Sequence, residues 1–160
     1  MIAIAALAEN GAIGKDDTLL FSLPSDMKRF RELTTGKTVV MGRKTLESFP
    51  GGKPLKNRRN IVLSRSRTEI EGVELADSIA EALALVKDTA PDEVWLIGGE
   101  SVYRAMLPFC DKAYITHVYR SVTADAYFPA LPPEEWKITW ESEMMEENGL
   151  RFRYRNYERI

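Results

Sequence analysis

One carboxylate stands out among the residues whose chemistry could serve a reaction. If a helix begins at Pro24, a period of 3.6 residues places Asp26 on its apolar side. That side also carries Met27, Phe30 and Leu33. Such an acid either serves the helix N-terminus, where a negative charge is favourable, or meets the hydrogen-bond donors of a ligand in an apolar cleft. Burial would raise the pKa of this acid and a neighbouring cation would lower it, and the pattern leaves both interpretations open.

Three predicted strands end in residues that suit a ligand with several phosphates. Gly98 and Gly99 follow an apolar run and precede a helix, so the backbone could approach a ligand and free N–H groups could meet an anion. The segment 42–45 repeats this arrangement with two cations and a hydroxyl, and the segment 63–67 adds hydroxyls and cations. The ends of parallel strands share one edge of a sheet, where such folds bind ligands. A tight turn or a solvated loop remains the alternative for each segment, because none has the GxGxxG spacing.

Four further residues have side chains capable of chemistry: Arg58, Arg59, Cys110 and His117. Arg58 or Arg59 could clamp a carboxylate with two parallel hydrogen bonds, unless both are surface charges. His117 lies inside a predicted strand and is expected to be structural. Cys110 is expected to be a small buried side chain without a reactive partner.

Composition excludes several classes of function. A length of 160 residues predicts one domain, spanning 1–160. Lys and Arg number 22 and Asp and Glu 24, and a net charge of −2 gives no electrostatic reason to expect nucleic acid or an anionic membrane as partner. One cysteine and one histidine exclude an internal disulfide and a metal site rich in either residue, and we expect no metal. No basic start precedes an apolar leader and no run is long enough to span a membrane, so we expect a cytoplasmic protein.

The elements that must position these residues alternate along the chain. Short apolar runs predict buried strands at 2–7, 38–41, 60–63, 73–76, 94–97 and 112–118, and helices are predicted at 24–34, 43–48, 78–87 and 101–107. Loops are predicted at 11–23 and 50–54. The tail alternates at 137–143 and 150–157 around Asn148-Gly149, which predicts a closing hairpin. Alternating strands and helices indicate an α/β fold with a mostly parallel sheet.

In their joint order and spacing, these motifs resemble the dihydrofolate reductase family, of the bacterial chromosomal kind, from Ile2 to about Tyr157. The matching segments are Ile4-Ala5-Ala6, Gly11-Ala12-Ile13-Gly14, Leu23-Pro24-Ser25-Asp26-Met27, 40–45, 58–65, Ile97-Gly98-Gly99, Ile115-Thr116-His117, and Asp125 with Phe128-Pro129.

The resemblance implies a fold and a reaction. The fold is a three-layer α/β domain with an eight-stranded, mostly parallel sheet, an antiparallel C-terminal strand and about four flanking helices. The reaction is transfer of a hydride from the cofactor NADPH to C6 of 7,8-dihydrofolate, with protonation at N5, which gives tetrahydrofolate for one-carbon metabolism and for thymidylate and purine synthesis. The resemblance further implies a monomer that binds dihydrofolate and antifolates such as methotrexate and trimethoprim.

Residue roles follow from the same resemblance. Asp26 would hold N3 and the 2-amino group of the pterin as the only ionisable side chain in its pocket, with Thr116 bonded behind it, and Arg58 would grip the α-carboxylate of the glutamate tail. A water molecule, rather than Asp26 itself, would carry the proton to N5. The implied catalytic residues are Asp26, Phe21 and Thr116. The implied substrate-binding residues are Ile4, Ala5, Asp26, Met27, Phe30, Phe49, Leu55, Arg58 and Thr116.

The family pattern also implies a cofactor site. Arg43, Ser64 and Arg65 would meet the adenosine 2′-phosphate, and the peptide bond between Gly98 and Gly99 would be cis. The implied cofactor-binding residues are Ala6, Ile13, Gly14, Leu19, Gly42, Arg43, Lys44, Thr45, Leu63, Ser64, Arg65, Ile97, Gly98, Gly99, Glu100, Ser101, Val102 and Tyr103.

The chain departs from the family pattern at three points. Phe21 stands where a tryptophan is usual and lacks an N–H that could hold a water. Leu19-Leu20 replaces a residue-proline pair, and Leu46 replaces an aromatic residue. Two alternatives stay open: a non-catalytic module that binds NADPH or folate, which would be expected to lose Asp26, and a pyrimidine reductase of riboflavin synthesis, whose ribitol phosphate substrate suits Asp26 and Arg58 less well.

Overall fold

A central β-sheet organises the computed structural model of the chain, which describes residues 1–15, 18–66 and 68–160. Its strands are β1 (Ile2–Leu7), β4 (Thr38–Gly42), β5 (Arg59–Leu63), β6 (Val73–Ala76), β7 (Val94–Gly98), β8 (Lys112–Val118), β10 (Trp136–Glu141) and β12 (Leu150–Arg159). They lie in the order β10-β12-β8-β1-β7-β4-β5-β6. The pairs from β8 to β6 are all parallel, whereas β12 is antiparallel to both of its neighbours. The predicted mostly parallel sheet with an antiparallel C-terminal strand is confirmed, with eight strands in this order and a short ninth strand that pairs beside them.

In the part of the chain that the structure describes, four α-helices cover the two faces of this sheet. They are α1 (Pro24–Thr34), α2 (Arg43–Ser48), α3 (Ile79–Leu85) and α4 (Glu100–Met106). Leu33 of α1 and Leu46 of α2 pack into one apolar cluster, and residues of α3 and α4 such as Ala82 and Met106 pack into the other. Because each face buries its own cluster, the predicted three layers and four helices are confirmed.

A second, smaller sheet replaces part of the predicted 11–23 loop. Its strands are β2 (Ala12–Lys15), β3 (Thr18–Leu19) and β9 (Ala126–Tyr127), in the order β3-β2-β9. Prediction of a loop was wrong here because the β2–β9 pairing joins segments over 100 residues apart, which local periodicity cannot show. Asp16 and Asp17, which fell in that predicted loop, lie outside the described residues.

Other elements differ from prediction at their ends. The helices predicted at 78–87 and 101–107 are Ile79–Leu85 and Glu100–Met106, and the predicted 50–54 loop contains a 3₁₀ turn at Pro50–Gly52. The closing hairpin gains β11 (Met145–Glu147), a ninth strand of the main sheet, which pairs with β12. Asn148 and Gly149 adopt φ values of 53° and 74°, the turn expected for this dipeptide.

The carboxyl edge of the sheet collects the predicted site segments. The chain passes from β1 across β7 to β4, then outward to β5 and β6, and returns through β7 to β8. The direction of winding therefore changes around β7, between β1 and β4, and ligands bind α/β sheets at such a switch point. Among the described residues, no helix has the length and apolar character needed to cross a membrane.

Candidate active site

Asp26 and Thr116 form the polar centre of the site. Asp26 is in the first turn of α1, and Thr116 lies in β8 with only 3% of its surface exposed. The Thr116 hydroxyl donates to Asp26 Oδ1 at 2.6 Å. Fixing one carboxylate oxygen from behind sets the orientation of the group and leaves Oδ2 for another donor.

The charge of Asp26 is under opposing influences. Burial raises the pKa of this carboxyl, and it is the largest effect; the bond from Thr116 and the positive charge of Arg29 lower the pKa, while the negative charge of Glu147 raises it. Arg29 and Glu147 thus act electrostatically on Asp26, and the expectation that Asp26 is the only ionisable side chain in the pterin pocket stays a prediction. A half-buried acid with a shifted pKa at a ligand-binding edge is typical of a functional site.

Glu147 is held near Asp26 by hydrogen bonds to Ser25, in the first turn of α1. The helix begins after Leu23, which offers no side-chain cap. Instead, Glu147 of β11 accepts a hydrogen bond from the backbone N–H of Ser25 at 3.0 Å and a second, short one from the Ser25 hydroxyl. The helix N-terminus thus has two carboxylates nearby, one from its own sequence and one from the C-terminal hairpin, and both are favoured by its dipole.

Several apolar side chains of the predicted pocket lie in the clusters on which α1 packs or that surround its start. Ile4, Phe49 and Leu55 pack on the same cluster on the α1–α2 face of the sheet, and Phe21 packs against Leu23 and the C-terminal hairpin. Phe30 is half-buried, and Ala5 lies in β1 beside Ile4. Met27 is 49% exposed, so the apolar stripe of α1 is not fully covered by the protein. An apolar side chain left open beside a carboxylate suits a surface that a ligand covers.

Arg58 and Arg59 have different partners, which the sequence alone left open. Arg59 makes a bidentate pair with Glu74, at 2.6 and 2.8 Å, and also donates to the Leu85 carbonyl. Arg58 donates to the Thr34 hydroxyl at 3.0 Å and to a backbone carbonyl at 2.9 Å. Within the described chain, Arg58 has no carboxylate partner, so its charge is available to an anion.

Asn60 holds the segment that carries Leu55 and Arg58. Its buried carboxamide accepts from the Leu55 N–H at 3.0 Å and donates to the carbonyls of Leu55 and Arg58 at 2.9 and 3.0 Å. We expect Asn60→Ala to lower the free energy of unfolding by about 2–3 kcal/mol, since buried groups lose their partners. Urea denaturation measures this effect.

Asn10 provides the control for that experiment. Its side chain is exposed and donates one hydrogen bond, to the Val122 carbonyl at 2.9 Å. We expect Asn10→Ala to cost no more than about 0.5–1 kcal/mol, because water replaces the lost bond. Equal losses in the two variants would contradict the role given to Asn60.

Glycines bring four segments together at the ends of β4 and β7. A Cβ on Gly42 would lie 2.9 Å from a methyl carbon of Val102, and a Cβ on Gly98 would lie 3.4 Å from the Thr45 hydroxyl and 3.5 Å from the Tyr103 ring. Gly98 also has φ of 127°, a conformation that other residues rarely adopt. The peptide bond between Gly98 and Gly99 is cis, as the resemblance implied. A side chain at Gly42 would therefore force Val102 to shift, whereas at Gly98 the backbone conformation is what favours glycine.

Cations and hydroxyls follow the neighbouring strand ends. Arg43, at the start of α2, donates through Nη1 to the Ser64 hydroxyl at 3.2 Å, which joins the ends of β4 and β5. Its Nε pairs with Glu47 at 3.0 Å, one turn along the same helix. Arg65 is exposed next to Ser64. Arg67 and the side chain of Leu19 lie outside what the structure describes.

Tyr103 connects the two halves of the site. Its hydroxyl donates to the Ile4 carbonyl at 2.6 Å, its ring packs against Phe128, and burial raises the pKa of the phenol. Ile4 belongs to the apolar wall near Asp26, and Tyr103 to the α4 segment beside Gly98. The Tyr103 hydrogen bond therefore joins β1, which carries Ile4, to the glycine-lined edge. The other predicted cofactor residues lie in the following elements: Ala6 in β1, Ile13 and Gly14 in β2, Lys44 in α2, Leu63 in β5, Ile97 in β7, and Glu100 and Ser101 in α4.

Arg29 and Glu147 are site residues that sequence reasoning missed. Arg29 follows Asp26 by three positions, a spacing that does place two side chains side by side on a helix. For Glu147 no local signal exists, because its position depends on how the C-terminal hairpin packs against α1. His117, by contrast, was expected to be structural and bonds to the Tyr157 hydroxyl at 2.8 Å.

The fold and the site define an α/β protein whose strand ends suit a phosphate-bearing ligand and lie on the same sheet as a half-buried carboxylate, and comparison with known proteins gives the family. The family model described as dihydrofolate reductase matches residues 1–159. The dihydrofolate reductase of Haemophilus influenzae is 46% identical over 138 residues, covering 86% of this chain and 84% of that protein. That of Mycobacterium leprae is 38% identical over 160 residues, covering 98% and 96%. The chain belongs to the dihydrofolate reductase family, whose members are oxidoreductases that reduce dihydrofolate to tetrahydrofolate with NADPH.

A solved structure agrees with this assignment. Dihydrofolate reductase from Enterococcus faecalis, complexed with NADP(H) and RAB-propyl, superimposes with a TM-score of 0.85 at 32% sequence identity. The match covers 99% of this chain and 95% of that one. The predicted family, fold and cofactor are thereby confirmed.

Proposed function

We propose that Asp26 anchors dihydrofolate for the family's reaction, the NADPH-dependent reduction of 7,8-dihydrofolate to 5,6,7,8-tetrahydrofolate. The observation that carries the proposal is the 2.6 Å bond from Thr116 to Asp26 at the ligand-binding edge of the sheet. With Oδ1 fixed, Oδ2 is left to accept from the N3 and 2-amino donors of the pterin. A carboxylate so held orients the ring and stabilises positive charge on it.

Reduction then depends on where the ring is held and how easily N5 takes a proton. When bound, NADPH supplies the hydride that C6 accepts. Asp26 favours the protonated substrate through its negative charge, although it points at the opposite end of the pterin from N5. The proton reaches N5 on a water molecule, and Phe21 has no N–H to hold one. The site therefore works by orientation and charge rather than by direct proton donation from Asp26.

Arg58 serves the other end of the substrate. The Thr34 hydroxyl and the Lys56 carbonyl accept hydrogen bonds from its guanidinium, and because both groups are neutral they leave its positive charge uncompensated. A planar guanidinium in that state suits the α-carboxylate of the glutamate tail. Between Asp26 and Arg58, the substrate covers the open apolar surface formed by side chains of the predicted pocket: Ile4, Ala5, Met27, Phe30, Phe49 and Leu55.

The glycine-lined edge fits the cofactor. Gly42 and Gly98 carry no side chain at these strand ends, so the backbone is open to close approach by a pyrophosphate. Arg43 and Ser64 are already joined at adjacent strand ends, and with Arg65 they provide two cations and a hydroxyl for a 2′-phosphate. The nicotinamide would lie near Ala6, Ile13 and Gly14, and the pyrophosphate and ribose near Lys44, Thr45 and the segment 98–103.

These contacts predict a strong preference for NADPH over NADH. Each charge-assisted hydrogen bond to a 2′-phosphate contributes roughly 1.5–3 kcal/mol. We expect Arg43→Ala with Arg65→Ala to weaken NADPH binding at least tenfold and leave NADH binding almost unchanged, as measured by fluorescence titration. Glu47→Gln should tighten NADPH binding, because Glu47 competes for Arg43.

The control is the variant Lys137→Ala. Lys137 is an exposed cation of β10, at the opposite edge of the sheet from β5. The NADPH affinity of this variant should match that of the wild type. Equal use of the two cofactors by the wild type would contradict the phosphate site, and so would a preference that survives loss of both arginines.

A single assay tests the proposed function. NADPH oxidation, followed by its absorbance, should require dihydrofolate and stop on addition of methotrexate. A module that only binds NADPH or folate would give binding without oxidation. A pyrimidine reductase would oxidise NADPH with a substrate carrying ribitol phosphate and not with dihydrofolate. Asp26 and Arg58, which has no carboxylate partner among the described residues, favour the pterin-glutamate substrate over both alternatives.

We further propose a cellular setting consistent with this reaction. The chain would act as one domain over 1–160, as a cytoplasmic monomer that supplies tetrahydrofolate to one-carbon metabolism. Methotrexate and trimethoprim would bind as competitors of dihydrofolate, with Asp26 accepting from their amino groups.

A further inference from the structure

Arg29 is a cation enclosed by aromatic rings next to the substrate site. Its guanidinium carbon lies 4.1 Å from the centre of the Tyr154 ring, and 5.7 and 5.9 Å from those of Tyr114 and Trp140. Its Nη2 also donates to Asn156 Oδ1 at 3.4 Å. Rings attract a cation without cancelling its charge. Arginine stays protonated in proteins, so Arg29 carries a full positive charge in partly buried surroundings.

This aromatic cage, formed by the rings of Tyr114, Trp140 and Tyr154, holds the Arg29 charge close to Asp26. Arg29 follows Asp26 by three positions on α1, where side chains are neighbours. Tyr154, under the guanidinium, pairs in register with Thr116, the residue that donates to Asp26. The rings of Trp95 and Tyr114 pack edge to face with their centroids 5.3 Å apart, and this contact holds Tyr114 in place beside Arg29.

The other charged groups around Asp26 can be named element by element. On α1 the charge is Arg29, on β11 it is Glu147, and on β12 the titratable group is Tyr154. Neutral Thr116 comes from β8, and β1 contributes only apolar residues. Arg29 is thus the one described cation that acts on Asp26, set against a second carboxylate.

We propose that Arg29 is a positioning residue for the reaction: its caged guanidinium balances the Asp26 carboxylate and sets the pH range over which dihydrofolate is reduced. The inference rests on the proposed function, because it assumes that Asp26 anchors the substrate. Removing the cation would leave Asp26 and Glu147 uncompensated. The pKa of Asp26 and the pKa of substrate N5 would then both rise, because a nearby positive charge is lost. Both changes move the pH profile of the reaction to higher pH.

The experiment is the pH dependence of hydride transfer in a single turnover. Arg29→Gln should raise the pH at which hydride transfer is half-maximal by about one unit. At pH values above the midpoints of both proteins, the variant should then transfer hydride roughly tenfold faster than the wild type. Arg29→Lys keeps a cation on the rings and should restore the wild-type midpoint. Lys28→Gln, an exposed neighbour on the same helix, is the matched control and should leave the midpoint unchanged.

A second readout separates this inference from the proposed function. In protein with ¹³C-labelled aspartate, the Asp26 signal, assigned by its loss in Asp26→Asn, should titrate at higher pH in Arg29→Gln without substrate present. If Arg29→Gln does not fold, Arg29→Met, which still packs on the rings, carries the same expectation. Identical midpoints in wild type and the neutral variants would overturn the role of Arg29, and so would Arg29→Lys behaving like Arg29→Gln. A wild type that titrates as expected but does not oxidise NADPH with dihydrofolate would overturn the proposed function instead.

Discussion

Asp26→Asn should fold normally and lose about 100-fold or more of its dihydrofolate reduction rate at neutral pH. Asparagine can still accept a bond from Thr116 through its carbonyl oxygen, so the local geometry should persist. It lacks the negative charge that favours protonated substrate and offers fewer acceptors to the pterin. Single-turnover NADPH oxidation measures the loss, and near-normal turnover would refute the anchoring role.

The same variant makes a separate prediction for stability. Burial raises the pKa of Asp26 in the folded state above its unfolded value, so the ionised group is disfavoured in the fold at neutral pH. Asp26→Asn should therefore match or exceed the wild type in free energy of unfolding at pH 7. The difference should disappear as pH falls below the unfolded pKa of about 3.9, where the wild-type group is protonated in both states. Urea denaturation across this pH range checks the sign.

Arg58→Leu should weaken binding of dihydrofolate and methotrexate by about 2–4 kcal/mol while leaving kcat nearly unchanged. Its contact with the glutamate tail would be equal in the ground and transition states, and such contacts change KM more than kcat. Trimethoprim carries no glutamate tail, so its binding should be almost unaffected. Titration of the three ligands by fluorescence gives the comparison.

Arg59→Leu is the matched control for Arg58→Leu. Because Arg59 is held by Glu74, its loss should cost about 1 kcal/mol or less in stability and little in ligand binding. If Arg58→Leu weakens trimethoprim as much as methotrexate, Arg58 supports the loop rather than the ligand. If Arg59→Leu gives the loss selective for methotrexate, the two residues have been assigned in the wrong order.

Local patterns predicted the main sheet because its strands are continuous apolar runs. Such runs, bounded by glycine, at 38–41 and 94–97 indicate buried strands before any partner is known. Pro24 marked the start of α1 for a similarly local reason, since proline is tolerated in the first turn. The small sheet was not predicted, because β2 owes its strand conformation to pairing with β9 rather than to its own sequence.

The site was predictable where the chemistry lies in one short segment. The glycines and cations at the strand ends could be found from residue types alone, and parallel topology brought them together. The different partners of Arg58 and Arg59 could not be foreseen, because Thr34 and Glu74 come from other elements. The aromatic surroundings of Arg29 could not be foreseen for the same reason: its three rings, Tyr114, Trp140 and Tyr154, lie over 80 positions away.

The position of the transferred hydride tests the central claim most directly. NADPH carrying deuterium on the transferred position would be incubated with the protein and dihydrofolate, and the product examined by mass spectrometry and NMR. We predict tetrahydrofolate with one deuterium, bound to C6, and with the hydrogen on N5 derived from solvent. Deuterium at another carbon, product without deuterium, or no tetrahydrofolate at all would contradict the account.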